Sequence, residues 1–238
     1  FLQHVDWNEA FVDALDLQAM TPIVQDWGSL IGLRMVGNRP DRFARVVVAN
    51  GNLPVVPEGF EPVQLPETLE PQDLDFPFTA EGLEAVGGDG MALFQTWVHY
   101  ALVGRDFMPS VVMGGLGGGS ARPSEDELAA YDAPFPTRIH MAGVRAFPSL
   151  INTLGHPPTN EAARAALDAF DRPVLGMFGL KDPIFGNEAS RNATRVQIKG
   201  AEGQPHQDFP DAGHFIQEDS GPELAAAVAD WILATPPD

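Results

Sequence analysis

The run from Met20 to Ala49 constrains the fold of this chain more than any other part of it. Met20–Val24 reads as a short buried strand, Gln25-Asp26-Trp27-Gly28 as a tight turn, and Ser29–Gly37 as a helix that stops before Pro40. Arg45-Val-Val-Val-Ala49 then reads as a second buried strand, β-branched and nearly continuous. Strand, turn, helix and strand in that order predict a parallel sheet with helices on its faces. The alternation lapses after Asn52 and resumes at the strand Val174–Gly179, with a further strand over Gln204–Phe209. An amphipathic helix, Pro222–Leu233, closes the chain with Leu224, Val228, Trp231 and Ile232 on one side. Between these parts lie a loop rich in proline and acid to about Pro77, a helix over Met91–Val103 and a glycine-rich stretch, Gly114–Ser120. Ser124-Glu125-Asp126-Glu127 caps a helix toward Tyr131, and Glu161–Phe170 is another helical stretch. The expected architecture is therefore α/β, with residues 1–51 and 171–238 as the core and residues 52–170 as a helical cap inserted into it. The chain opens at Phe1 within a helix whose apolar positions run from Val5 to Leu15, so the first strands of the sheet are expected upstream of it.

Composition narrows the function classes. The chain has 238 residues, 44% of them hydrophobic, which is enough for a substantial core. Its formal charge of −19, from 33 acidic and 14 basic residues, repels phosphate backbones and argues against a nucleic-acid partner. Cysteine is absent, which removes disulfides, thiolate metal sites and cysteine nucleophiles together and is compatible with a reducing compartment. No apolar run approaches the eighteen or so residues that span a bilayer, and no basic-then-apolar leader is visible. A cytoplasmic monomer without membrane partner, metal or cofactor is expected.

Three residues stand where chemistry is usually done. Asp26 sits in the strand-to-helix turn, a place suited to an exposed nucleophile flanked by small residues. A carboxylate is ionised at neutral pH, needs no base to attack a carbon electrophile, and forms an ester when it does so. Aspartate is also a favoured helix N-cap, the competing explanation for its presence there. Asp182 follows the strand Val174–Gly179 at its carboxyl end, where ligand sites of such sheets lie, although an acid ahead of Pro183 also suits a plain turn. His214, in Asp211-Ala212-Gly213-His214-Phe215 after the last strand, is placed as a general base. Nucleophile, acid and histidine occur in the chain order of α/β-hydrolases.

The motifs around these residues resemble the haloalkane dehalogenases. They are Gln25-Asp26-Trp27-Gly28, Leu33-Arg34, Pro40-Asp41-Arg42-Phe43-Ala44-Arg45, Ala49-Asn50-Gly51, Phe94-Gln95-Thr96-Trp97 and Tyr131-Asp132-Ala133-Pro134-Phe135-Pro136. Gly143-Val144-Arg145-Ala146-Phe147-Pro148, Gly179-Leu180-Lys181-Asp182 and Asp211–Phe215 continue the series in the family's order. The subfamily that the chain most resembles has an Asp-His-Asp triad and two halide-binding tryptophans. The resemblance implies an α/β-hydrolase fold and hydrolysis of a haloalkane to a primary alcohol, halide and a proton through an alkyl ester on Asp26. It implies that Asp182 orients His214, that His214 activates the hydrolytic water, and that Trp27 and Trp97 hold the leaving halide. It further implies an apolar pocket lined by Phe94, Phe147, Pro148, Ile151 and Ile184, with no cofactor and no metal.

One departure concerns the oxyanion hole. Family members carry a His-Gly-x-Pro turn well before the nucleophile, and no such turn occurs in the 25 residues that precede Asp26. The backbone N–H of Trp27 remains as one oxyanion donor. The alternative readings are an epoxide hydrolase, which would draw its two cap tyrosines from Tyr100 and Tyr131, and a non-catalytic or truncated member of the fold. Trp27, where fluoroacetate-type enzymes carry arginine, disfavours a carboxylate substrate.

Overall fold

The computed structural model describes residues 1–55, 61–87, 90–116, 123–154 and 157–237. The first part of the chain contains α1 (Leu2–Ala14), β1 (Ile23–Val24), α2 (Trp27–Asn38) and β2 (Val46–Ala49). A helical stretch follows, with α3 (Ala80–Ala85), α4 (Gly90–Val103), α5 (Pro109–Leu116), α6 (Glu125–Asp132), α7 (Ala142–Ala146) and α8 (Pro157–Asp168). The chain then returns to β3 (Val174–Gly179), α9 (Glu188–Arg195), β4 (Gln207–Phe209) and α10 (Ile216–Ala234). The strands lie in the order β1-β2-β3-β4, all parallel.

Strand alternation decides which helix covers which face. Val46, Val48, Val174 and Phe178 point to one side and pack with Val5 and Val12 of α1, Leu30, Leu33 and Val36 of α2, and Leu167 of α8. Val47, Leu175 and Met177 point to the other side, against Val228 and Trp231 of α10. β2 and β3 are buried along their whole lengths, as strands covered on both faces must be. α2 and α8 approach closely at Gly37, where a Cβ would overlap the backbone carbonyl of Ala163.

Several elements differ from their sequence reading for local reasons. β1 is shorter than Met20–Val24: Met20 bridges to Phe43, and ladder pairing starts only at Ile23. Pro22 lies between them and has no N–H to give. α1 carries two apolar stripes: Phe1, Val5 and Val12 are buried, while Trp7, Phe11 and Leu15 are exposed. Gly114 and Gly115 belong to α5, where the absent Cβ of Gly115 leaves room for the Phe76 ring; positions 117–120 of that glycine-rich stretch lie outside the described residues. So do positions 56–60 of the proline-rich loop. The closing helix starts at Ile216 and bends where Ser220 leaves helical geometry (φ −142°), just ahead of Pro222. Ser124 and Glu127 form the expected reciprocal capping box on α6.

Candidate active site

The carboxyl edge of the sheet brings the three singled-out residues together. Asp26 lies in the turn between β1 and α2 with φ +47° and ψ −123°, a region costly for a residue with a Cβ and characteristic of strained functional turns. It occupies the N-cap position, yet its side chain makes no capping bond, so the carboxylate is free of the role that would explain it as a helix start. The turn is braced from behind. Asp26 N–H donates to the Asn50 carbonyl at 3.0 Å, and Ser29 Oγ donates to the Asp26 carbonyl at 2.6 Å and to that of Asn52 at 3.1 Å.

Asp182 follows β3, and both of its oxygens are engaged. Oδ1 accepts from Ile184 N–H at 2.7 Å, which closes the turn at Pro183, and Oδ2 faces His214 Nδ1 at 3.0 Å. One carboxylate thus both closes the turn and faces the histidine. The His214 Nε2 atom lies 3.7 Å from Asp26 Oδ1. The ring stacks on Phe185 and meets the edge of Phe215, with centroids 6.1 and 5.0 Å away. Gln25 Nε2 donates to the His214 carbonyl at 3.1 Å.

Burial opposes charge on both Asp26 and His214. It lifts the Asp26 carboxyl, against the His214 charge and the Trp27 backbone N–H, and the net position lies above the usual carboxylate range. It also lowers His214, but there the hydrogen bond to Asp182 and the charge of Asp26 outweigh it, and the imidazole ends above its ordinary value.

Above these groups is a cavity of about 860 Å³. Asp26 and His214 are in its wall, as are Trp27, Trp97, Phe94, Phe147, Pro148, Ile151 and Ile184, each of them a residue singled out from sequence. Asp182 stands behind His214 and does not line it. Most of the remaining wall is apolar, from Leu30, Phe78, Val112, Leu116, Leu154, Phe185 and Phe215. The Trp27 ring meets the edge of Phe147 at 5.2 Å between centroids, and Trp97 stacks on Tyr100 at 6.2 Å. Neither indole N–H is taken up by a hydrogen bond among the described residues. Tyr100 and Tyr131 are not in the wall: Tyr100 is fully buried in the helical region, and the Tyr131 hydroxyl donates to Glu218. No cluster of metal-ligating side chains occurs among the described residues, and no helix among them is long and apolar enough to cross a membrane. Sequence reasoning missed Gln25, Phe185 and Phe215 as neighbours of His214. Their position beside Asp26, and beside the Asp182 and His214 motifs, is the available signal.

A carboxyl group beside a histidine–acid pair, under an apolar roof with two indole donors that bond no other described residue, suits displacement at an uncharged carbon followed by hydrolysis. Comparison with known proteins is consistent with this. The α/β-hydrolase fold family matches residues 1–221. Haloalkane dehalogenase 1 of Mycobacterium tuberculosis is 39% identical over 240 residues, covering 99% of this chain and 68% of its own length. The haloalkane dehalogenase of Psychrobacter cryohalolentis is 32% identical, again over 99% and 68%. The chain thus spans about two thirds of the length of these curated relatives. The crystal structure of a haloalkane dehalogenase loop variant from Bradyrhizobium elkanii shares the fold with a TM-score of 0.66 at 21% identity, over 97% of this chain and 72% of that one.

Proposed function

Since the chain belongs to the haloalkane dehalogenases of the α/β-hydrolase fold, we propose that Asp26 is the nucleophile with which it hydrolyses carbon–halogen bonds. One observation carries the assignment of roles: the Asp26 carboxylate sits on a strained turn, uncommitted to capping, in the wall of an apolar cavity and 3.7 Å from the Nε2 of His214.

In the first step a carboxylate oxygen of Asp26 attacks the halogen-bearing carbon. The halide leaves with the bonding pair, and an alkyl ester remains. The indole N–H groups of Trp27 and Trp97 donate to the leaving halide, whose diffuse charge suits neutral donors in a dry cavity. Their help grows as the halide charge develops, which is where binding raises the rate. In the second step His214 Nε2 takes a proton from water, and the oxygen attacks the carbonyl carbon of the ester. Collapse breaks the ester C–O bond and expels the alkoxide, which takes the proton held on His214 and leaves as the alcohol; the regenerated Asp26 carboxyl then ionises, so one proton is released overall. Asp182 keeps the His214 proton on Nδ1 and stabilises the imidazolium. The Trp27 backbone N–H serves as an oxyanion donor. We assign residues 52–170 to the cap and residues 1–51 and 171–238 to the core, with α8, at the end of the cap segment, packing on the sheet beside α2. An epoxide hydrolase would need tyrosine hydroxyls in the cavity, and neither Tyr100 nor Tyr131 reaches it.

The test is halide release from 1-bromobutane or 1,2-dibromoethane. The protein turns over repeatedly, His214→Gln releases about one equivalent and stops with the alkyl group on Asp26, and Asp26→Ala releases none. A His214→Gln protein that folds and binds halide but gives neither burst nor mass increase refutes the roles assigned here.

A further inference from the structure

The carboxyl end of β2 holds a residue that the chemistry above leaves unused. Asn50 is fully buried at φ +41°, a region that asparagine tolerates better than most side chains. Its amide is committed on both atoms. Oδ1 accepts from the N–H of Gly179, the last residue of β3, at 2.7 Å. Nδ2 donates to the carbonyls of Gly213 at 2.7 Å and of His214 at 3.0 Å. Its backbone carbonyl accepts from Asp26 N–H at 3.0 Å, and its N–H donates to Met177 O at 3.2 Å.

We propose that Asn50 is the positioning residue of this site: by tying the nucleophile turn, the strand that leads to Asp182 and the backbone of His214 to one buried amide, it sets the imidazole between the two carboxylates. The inference rests on the roles given above to Asp26, Asp182 and His214.

The chemistry of the position demands a primary amide. One backbone N–H needs an acceptor and two carbonyls need donors, and a short side chain that offers both is asparagine. The surrounding frame has little slack. A Cβ on Gly179 would come within 2.6 Å of the carbonyls of both Ala212 and Gly213, so the end of β3 and the histidine loop pack backbone to backbone. A Cβ on Gly51 would overlap the Ser29 side chain, which itself braces the Asp26 turn. Shifts at Asn50 therefore pass to the loops rather than being absorbed.

The two chemical steps depend on this residue differently. Its link to Asp26 runs through the backbone carbonyl and survives substitution of the side chain. Its links to Gly179 and to the histidine loop run through the amide and do not. Alkylation should tolerate a change at this position, and ester hydrolysis should not.

Two variants separate the effects. Asn50→Asp keeps an acceptor for Gly179 N–H and loses the donor to the two carbonyls. Asn50→Gly keeps the positive φ and loses every side-chain bond. With 1-bromobutane under rapid mixing, both should give a halide burst of about one equivalent at close to the wild-type rate. Steady-state turnover should then slow on the order of a hundredfold, the loss expected for a displaced catalytic group. The alkylated protein should accumulate by intact mass, and the downfield proton resonance of the His214–Asp182 hydrogen bond should weaken. Wild-type hydrolysis rates in both variants overturn the proposal, as does parallel loss of both steps in either variant at an unchanged melting temperature. A wild-type protein that releases no halide overturns the assigned reaction itself, a failure that the wild-type control shows before any variant is compared.

Discussion

Asp182→Asn should be far more damaging than its near-identical shape suggests, because the local hydrogen bonds decide which way the new amide turns. In the native site Oδ1 accepts from Ile184 N–H at 2.7 Å and Oδ2 faces His214 Nδ1 at 3.0 Å, with the carboxyl fully shielded from solvent. An asparagine can keep only one of these contacts correct. With its oxygen on Ile184 N–H, it turns its NH₂ toward Nδ1, so the imidazole proton moves to Nε2 and the base has no lone pair for water. With the amide reversed, two donors face each other at Ile184, and a part-buried N–H is left unpaired at a cost of about 1–3 kcal/mol. At about 1.4 kcal/mol per tenfold, the wrong tautomer is favoured by about fivefold to a hundredfold. The remaining molecules lack the carboxylate that stabilises the imidazolium. A triad locked in the wrong tautomer loses about 10⁴ in rate in the serine-protease case, and a loss of about 10³–10⁴ is expected here in steady-state halide release. Alkylation needs no base and should survive. Rapid-quench halide assays should show one equivalent released at near wild-type rate, and intact mass should show the alkylated protein. Asp182→Ala leaves both tautomers open and should be less damaging than the asparagine. A loss below tenfold in Asp182→Asn, or disappearance of the burst, refutes this reasoning.

Other outcomes follow from the same geometry. Asp26 must be ionised to attack and His214 neutral to take a proton, and both titrate above their ordinary values. Activity should therefore rise with pH, and the inflection of ester hydrolysis should lie below the titration of His214 in the free protein, because esterification removes the Asp26 charge that helps to hold the imidazole up against burial; an ester-hydrolysis inflection at or above the free protein's imidazole titration, followed by proton NMR, contradicts this balance of burial and charge. Trp97→Phe keeps the aromatic stack on Tyr100 and removes one of the two indole donors assigned above to the halide. It should cost about 10²–10³ in rate and weaken bromide quenching of the remaining tryptophans; unchanged quenching removes Trp97 from the halide site. Gly37→Ala improves intrinsic helix propensity by up to about 1 kcal/mol but drives a Cβ into the Ala163 carbonyl. It should destabilise the protein by about 1–3 kcal/mol in urea unfolding; a more stable variant shows that α2 and α8 are not fixed at that crossing.

What the sequence disclosed depended on how local each signal was. The β-branched run Val46–Ala49, the turn at Asp26 and the capping box at Ser124 are written in adjacent residues, and they fold as read. β1 was overextended because the apolar composition of Met20–Val24 conceals the missing donor of Pro22. The stripes of α1 could not be told apart, since Val5 and Val12 share helical spacing with Trp7, Phe11 and Leu15 and only the packing chooses between them. Asn50 was visible only as part of a motif; its partners Gly179, Gly213 and His214 lie 129–164 residues away. Nothing local sets Phe185 and Phe215 apart from other aromatic residues; the fold brings both against the His214 ring.

The parallel sheet also has a consequence for how the protein comes into being. β2 pairs with β3 across the whole intervening helical stretch, and Gln25 reaches His214 across 189 residues. The helices can form from near neighbours, whereas the reacting groups meet only after these long loops have closed. In refolding from urea, helical circular dichroism should therefore recover before halide release does. Turnover in this molecule is a reporter of the last strands to join, more sensitive to incomplete assembly than any measure of its helix content.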